Sequence, residues 1–204
     1  LYDRQTESLV SLPNLNSPEY DEYAPRITDD GRFILFLVHD GAAYALYDRQ
    51  TETLLPLPEA RYVEAASISG DGRYIAIRKD EWDKDARNGT IDAALYDREV
   101  DALVALSGVN SEAEESPAAL SKDGRFILYT RGEIGRGDTK AYLYDRHAQT
   151  GVELPEFQSV VGSRAHTLSS DGRFIAFVAD VSDGITNQDI HLYDRGEAAT
   201  LSET

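Results

Sequence analysis

The residues of this chain that could do chemistry are mostly oxygen donors. Asp83-x-Asp85 with Asn88-Gly89, and Asp180-x-x-Asp183-Gly184 with Asn187 and Asp189, cluster carboxylates and amides as a hard cation such as calcium requires. Neither follows the D-x-[DN]-x-[DN]-G-x5-E loop, so polar turn residues account for them better and no cofactor is expected. Four histidines, His39, His147, His166 and His191, lack H-E-x-x-H spacing, and no G-x-S-x-G turn offers a nucleophile. With 37 Asp and Glu residues, no particular glycosidase pair can be nominated.

The elements that would position such groups are repeated. Leu-Tyr-Asp-Arg begins at Leu1, Leu46, Leu95, Leu143 and Leu192, and Asp-Gly-Arg begins between them at Asp30, Asp71, Asp123 and Asp171. A period of 45 to 49 residues belongs to solenoids and propellers. In the last copy Ala165–Ser169, Phe174–Val178 and Ile190–Arg195 are three runs of strand length, and Asp-Gly between the first two predicts a two-residue hairpin turn of the primed type. A fourth short run follows, as in Thr53–Leu57 or Val152–Leu154, so each unit reads as a four-stranded antiparallel meander, strands A to D.

Strand B is apolar on both faces, as in Phe33-Ile34-Leu35-Phe36-Leu37-Val38, and needs a neighbour on each. Radially stacked blades supply them, and unit length and strand count favour an all-β propeller over a β-solenoid. Full repeats are expected at 20–57, 62–107, 116–154 and 164–203, with a strand D at Ala198–Leu201 closing the last. Residues 1–12 match only strands C and D, a half-repeat expected to belong to a longer propeller or to self-associate with a neighbouring molecule.

The matching segments are Ser169 to Phe177 with Ile190 to Arg195, Ser121 to Leu128 with Tyr142 to Arg146, Ser69 to Ile77 with Ala94 to Arg98, and Thr28 to Phe36 with Ala45 to Arg49. They resemble the WD-like propeller repeat of the TolB-type family, and the first departs only in carrying Thr28-Asp29. The resemblance implies a propeller from a bacterial cell envelope, periplasmic or extracellular, and leaves function open between binding platforms and enzymes.

Composition narrows the partners. Lys and Arg number 20 against 37 acidic residues, a net charge of −17 that repels nucleic acid and anionic membranes and favours a cationic protein partner. No apolar run is long enough for a membrane helix, and the absence of Cys leaves the redox compartment open. The chain lacks an initiator Met and reads as a processed form or a fragment.

In a meander the A–B and C–D turns share one end of the blades. That end repeats in every copy, so Asp30, Asp71, Asp123 and Asp171 and the strand-exit Asp48, Asp97, Asp145 and Asp194 are expected to be structural, accepting turn N–H groups and pairing with arginine. The other end varies, as binding loops on a rigid scaffold do. Its D–A loops include Leu15–Tyr23 and Val109–Glu115, and its B–C loops include Lys79–Gly89. The expected binding residues are Glu19, Tyr20, Asp21, Glu22, Tyr23, Trp82, Asp83 and Asp85, with Phe157 nearby, an acidic surface with aromatic anchors. The expected function is a non-catalytic protein-interaction platform; the alternative is a carbohydrate-binding or glycoside-hydrolysing propeller that uses the channel mouth, where His166 on strand A could point.

Overall fold

The computed structural model describes residues 1–16, 18–19, 21–38, 43–55, 57, 66–83, 88–132, 139–158, 167–180 and 188–196. All regular structure among them is β, arranged as a four-bladed propeller. A two-stranded piece, β1 (Tyr2–Asp3) and β2 (Ser8–Leu9), precedes the blades. Blade one holds β3 (Glu22–Ile27), β4 (Phe33–Val38), β5 (Ala43–Asp48) and β6 (Thr53–Leu55). Blade two holds β7 (Ala66–Ile68), β8 (Tyr74–Asp83), β9 (Asn88–Asp97) and β10 (Ala102–Val104). Blade three follows with β11 (Glu115–Leu120), β12 (Phe126–Arg131), β13 (Lys140–Asp145) and β14 (Thr150–Gln158). Blade four shows β15 (Thr167–Leu168), β16 (Phe174–Asp180) and β17 (Gln188–Asp194). Each sheet is an antiparallel meander in chain order; the strand expected at Ala198–Leu201 lies outside the described residues.

Because side chains alternate across a strand, the doubly apolar second strands feed two interfaces at once. Phe33 and Leu35 of β4 pack with Ile68, Ile75 and Ile77 of blade two. Tyr74 and Ala76 of β8 pack with Ile127 and Tyr129 of blade three. Phe126 and Leu128 of β12 pack with Leu168, Ile175 and Phe177 of blade four. The other face of blade one, Ile34, Phe36 and Tyr47, meets Leu12 and Leu15 of the segment that leaves β2. The outward face of blade four has no such cover among the described residues: Ile190 is 82% exposed and Leu192 69%.

The Asp-Gly turn is not the expected primed one. Gly31 N–H donates to Thr28 O at 2.9 Å and only Gly31 of the turn has positive φ, +71°, which is a type I turn followed by a left-handed glycine. The cause is the residue two places before the pair. Thr28 Oγ1 donates to Asp30 Oδ1 at 2.6 Å and accepts Phe33 N–H at 3.0 Å, and Asp30 also accepts Arg32 N–H at 2.9 Å. Ser69, Ser121 and Ser169 repeat this set with Asp71, Asp123 and Asp171.

The C–D turns carry a cost of their own. Glu7, Glu52, Asp101 and Gln149, each four residues after the strand-exit Asp, hold φ of 52° to 57°, where a Cβ is strained. Replacing the exposed Gln149 by Gly removes that strain but adds unfolded-state entropy, so Gln149→Gly should stabilise by about 0.5 kcal/mol, seen as a higher midpoint in urea with an unchanged slope.

Candidate functional site

At the constant end each blade builds one carboxylate–arginine fork. Arg32 donates to Asp48 at 3.0 and 2.7 Å, and Arg73–Asp97, Arg125–Asp145 and Arg173–Asp194 repeat it. Asp48 and Asp97 are 3% and 4% exposed, and their arginine forks hold both carboxyls below the ordinary range. Asp194 is forked the same way and held down to about 2. The neighbouring Arg of Leu-Tyr-Asp-Arg crosses to the preceding blade: Arg98 stacks on Phe33 at 4.0 Å, Arg146 on Tyr74 at 4.0 Å and Arg195 on Phe126 at 4.4 Å. Burial pushes Arg98 and Arg195 down. The groups at this end are therefore spent on one another.

A central channel of about 540 Å³ lies between the first strands of the four blades, lined by Arg26, Asp29, Ser67, Ile68, Lys122 and Thr167 among others, and opens past Phe177 and Ile190 of blade four. Its mouth at the constant end is crossed by an ion pair from blade one to blade three, Asp29 to Lys122 at 3.3 Å. Asp29 is the one carboxylate among the described channel residues, so they hold no pair of acids for glycoside hydrolysis. His166 and His39 lie outside the described residues; His147 sits on a C–D turn, and exposed His191 stacks on Phe177 at 5.3 Å.

At the variable end the expected binding residues occupy mixed settings. Glu19 and Asp21 are exposed ahead of blade one. Tyr23, 41% exposed, donates its hydroxyl to Asp21 at 3.1 Å, and partial burial together with the Asp21 carboxylate pushes its phenol up. Glu22 and Tyr23 are not loop residues: they open β3, opposite Val38 and Leu37. Lys79–Asp83 and Asn88–Gly89 are strand rather than loop, since β8 and β9 continue to pair Trp82 with Gly89 and Asp83 with Asn88. Backbone pairing tolerates the charged residues there, and Trp82, Thr90 and Ile91 are strong strand formers. Phe157 likewise lies within β14. Tyr20 and Asp85 lie outside the described residues.

Glu115, expected on an acidic loop, is fully buried. It accepts Arg131 Nε at 2.9 Å and Ser111 N–H at 3.2 Å, while Arg131 also donates to Val109 O at 2.6 Å and lies 4.7 Å over Tyr142. This network in blade three fixes the Val109–Glu115 loop and leaves Glu112 as its exposed acid. The visible signal for it was an arginine ending one strand B opposite a glutamate beginning strand A. Among the described residues no three His, Asp or Glu gather as a metal site; of the calcium candidates, Asp85, Asp183, Gly184 and Asn187 lie outside them.

No protein-family model matches the chain, and no curated protein matches its sequence. Solved structures do match in fold. TolB from Acinetobacter baumannii is 21% identical with a TM-score of 0.60, over 88% of this chain and 42% of that one. A putative TolB from Agrobacterium tumefaciens is 16% identical with a TM-score of 0.58, over 88% and 63%. The tricorn protease is 15% identical with a TM-score of 0.60, over 95% and 23%. The chain thus spans less than two thirds of the length of the TolB proteins it matches. With four blades of the same strand order and the Asp-Gly-Arg and Tyr-Asp-Arg turns between them, this chain is a TolB-like β-propeller in fold.

Proposed function

We propose that the chain is a non-catalytic protein-interaction platform of the bacterial envelope, binding a cationic partner through the variable loop end of its blades. The observation that carries this reading is the asymmetry of the two ends. The repeated carboxylates of the constant end are held between arginine, hydroxyl and backbone N–H groups of the blades, and the loop end presents the exposed acids Glu19, Asp21 and Glu112. A rigid sheet scaffold under an acidic rim suits electrostatically steered association. The envelope location rests on the resemblance of the repeat to the TolB type.

The test is affinity capture from an envelope extract with the chain and with a Glu19→Lys, Asp21→Lys, Asp83→Lys, Asp85→Lys variant; Glu22 is left alone because it belongs to β3. A partner held at low salt, weakened at moderate salt and lost with the variant is the expected result. A partner retained equally by both would remove the loop end from the reading. The channel supports a rival, a sugar ligand at its mouth, and binding on a glycan array or turnover of a chromogenic glycoside would establish it instead.

A further inference from the structure

Three positions of every blade line the channel, counted from the hydroxyl residue of the A–B turn, Thr28, Ser69, Ser121 or Ser169. The residue one place before it is apolar throughout: Ile27, Ile68, Leu120 and Leu168. The residue two places before it differs in every blade, Arg26, Ser67, Ala119 and Thr167, and so does the residue just after it, Asp29, Gly70, Lys122 and Ser170. What all blades share serves the repeat; what each blade changes, where all four meet, serves one site. These positions lie on or beside the first strands β3, β7, β11 and β15, so the layers they form do not depend on the outward face of blade four.

The layer at the constant end is closed on itself. Asp29 pairs with Lys122 at 3.3 Å while its carboxylate lies against Gly70, where a Cβ would stand 2.7 to 2.8 Å from it. Gly70 is not held at positive φ, so its backbone does not call for glycine; the space left by the missing side chain is what the carboxylate occupies. The inner layer is open. With Asp29 committed to Lys122, Arg26 donates only to the neighbouring Pro25 O, at 3.2 Å, and meets no carboxylate among the described residues. At the same level stand the hydroxyls of Ser67 and Thr167 and the small Ala119. Among its described residues the channel thus carries two cations against one carboxylate, in a chain whose net charge is −17.

We propose that the channel is a binding site for a small free carboxylic acid with an apolar body. The carboxylate takes the Arg26 guanidinium and the hydroxyls of Ser67 and Thr167, and the body lies along Ile68, Leu120 and Leu168 beneath the Asp29–Lys122 bar. From the Arg26 layer to that bar is three residues of strand, roughly 10 Å at about 3.3 Å per residue, a span that suits an acid the size of phenylpropionate. One uncompensated cation matches one negative charge, whereas a phosphate dianion would bring an unmatched charge into an acidic protein. The proposal does not rest on the platform reading.

The test is calorimetric titration of the intact chain with phenylpropionate, with phenylpropanamide as the uncharged isostere and an N-acetylated dipeptide acid ending in phenylalanine as the same carboxylate on a peptide terminus. The expected result is one-to-one binding of the free acid with a dissociation constant of about 1 mM, the scale for a ligand of this size, and no saturable binding of the amide. Arg26→Gln should weaken the acid about tenfold or more, the scale of a lost charge-assisted hydrogen bond, and Thr167→Val about threefold. Arg26→Glu should invert the preference, so that phenylpropylamine binds and phenylpropionate does not. Arg26 is exposed and has no carboxylate to lose, so both substitutions leave the fold intact, and the amine result is one that a misfolded variant could not give. No saturable binding of the acid, equal binding of acid and amide, or acid binding unchanged by Arg26→Gln would each overturn the proposal. Tighter binding of the dipeptide acid than of phenylpropionate would overturn the assignment to a free acid.

Discussion

Gly124→Ala should cost about 3 kcal/mol of stability, whereas Gly31→Ala, in the same turn of another blade, should cost about 1 kcal/mol. Both glycines sit at positive φ, +64° and +71°, so the backbone strain of a Cβ is common to the pair. The surroundings differ. A Cβ at Gly124 would collide with the Tyr74 ring, which is 8% exposed and held beneath Arg146 at 4.0 Å, so the ring cannot withdraw without breaking that stack. A Cβ at Gly31 meets Arg49 Nη1 at 3.2 Å, the far end of a flexible side chain, and Ile27 Cδ1 at an ordinary contact distance of 3.9 Å. Gly72, whose Cβ would lie 2.8 Å from Phe33, should behave like Gly124. Urea unfolding of the three variants measures this directly. Equal losses at Gly31 and Gly124 would show that the ring contact between blades places no demand on the glycine.

That contact explains how much of the fold could be read in advance. Each repeat carries both halves of an interface, the ring after Asp-Gly-Arg and the glycine and arginine that meet the ring of the preceding blade, so a local pattern recurs wherever a blade does. The turn type was not legible from Asp-Gly alone because Thr28 or Ser69, two residues earlier, sets the geometry through its hydroxyl. The variable end was legible in its position but less so in its contents. Strand pairing beyond Lys79 depends on a partner segment with no apolar alternation to announce it, and the Glu115–Arg131 pair belongs to one repeat, where periodicity cannot flag it. Glutamates at 112, 114 and 115 look equivalent in sequence; only the pairing of Glu115 with Arg131 at the sheet edge separates a buried charge from an exposed one.

Asp97→Asn should remove about 3 kcal/mol at neutral pH and flatten the acid limb of the stability curve. Asp97 is 4% exposed, takes the Arg73 fork at 3.0 and 2.7 Å, and accepts Glu99 N–H at 3.0 Å. An amide in its place turns a donor toward the guanidinium and leaves Arg73 only the exposed Glu99 carboxylate, at 2.7 Å, as counter-charge. The sign with pH follows from the depressed carboxyl. In the unfolded chain an aspartate titrates near 3.9, and in the fold Asp48 and Asp97 titrate lower, with Asp194 at about 2. The unfolded state therefore binds protons first as the solution is acidified. The stabilisation is complete above about pH 4 and is lost as pH falls toward 2. Wild-type chain should accordingly lose stability steeply across that interval, and Asp97→Asn should lose less of it while starting lower. Asp194→Asn is the internal comparison: the same fork, but with both side chains about two-fifths exposed at 40% and 45%, so solvent screening leaves a smaller and more salt-sensitive effect. Denaturant midpoints at pH 7, 4 and 2.5, at low and high salt, separate the two variants. If Asp97→Asn and Asp194→Asn lost equal stability with equal salt dependence, burial of the fork between packed blades would not be what gives it its strength.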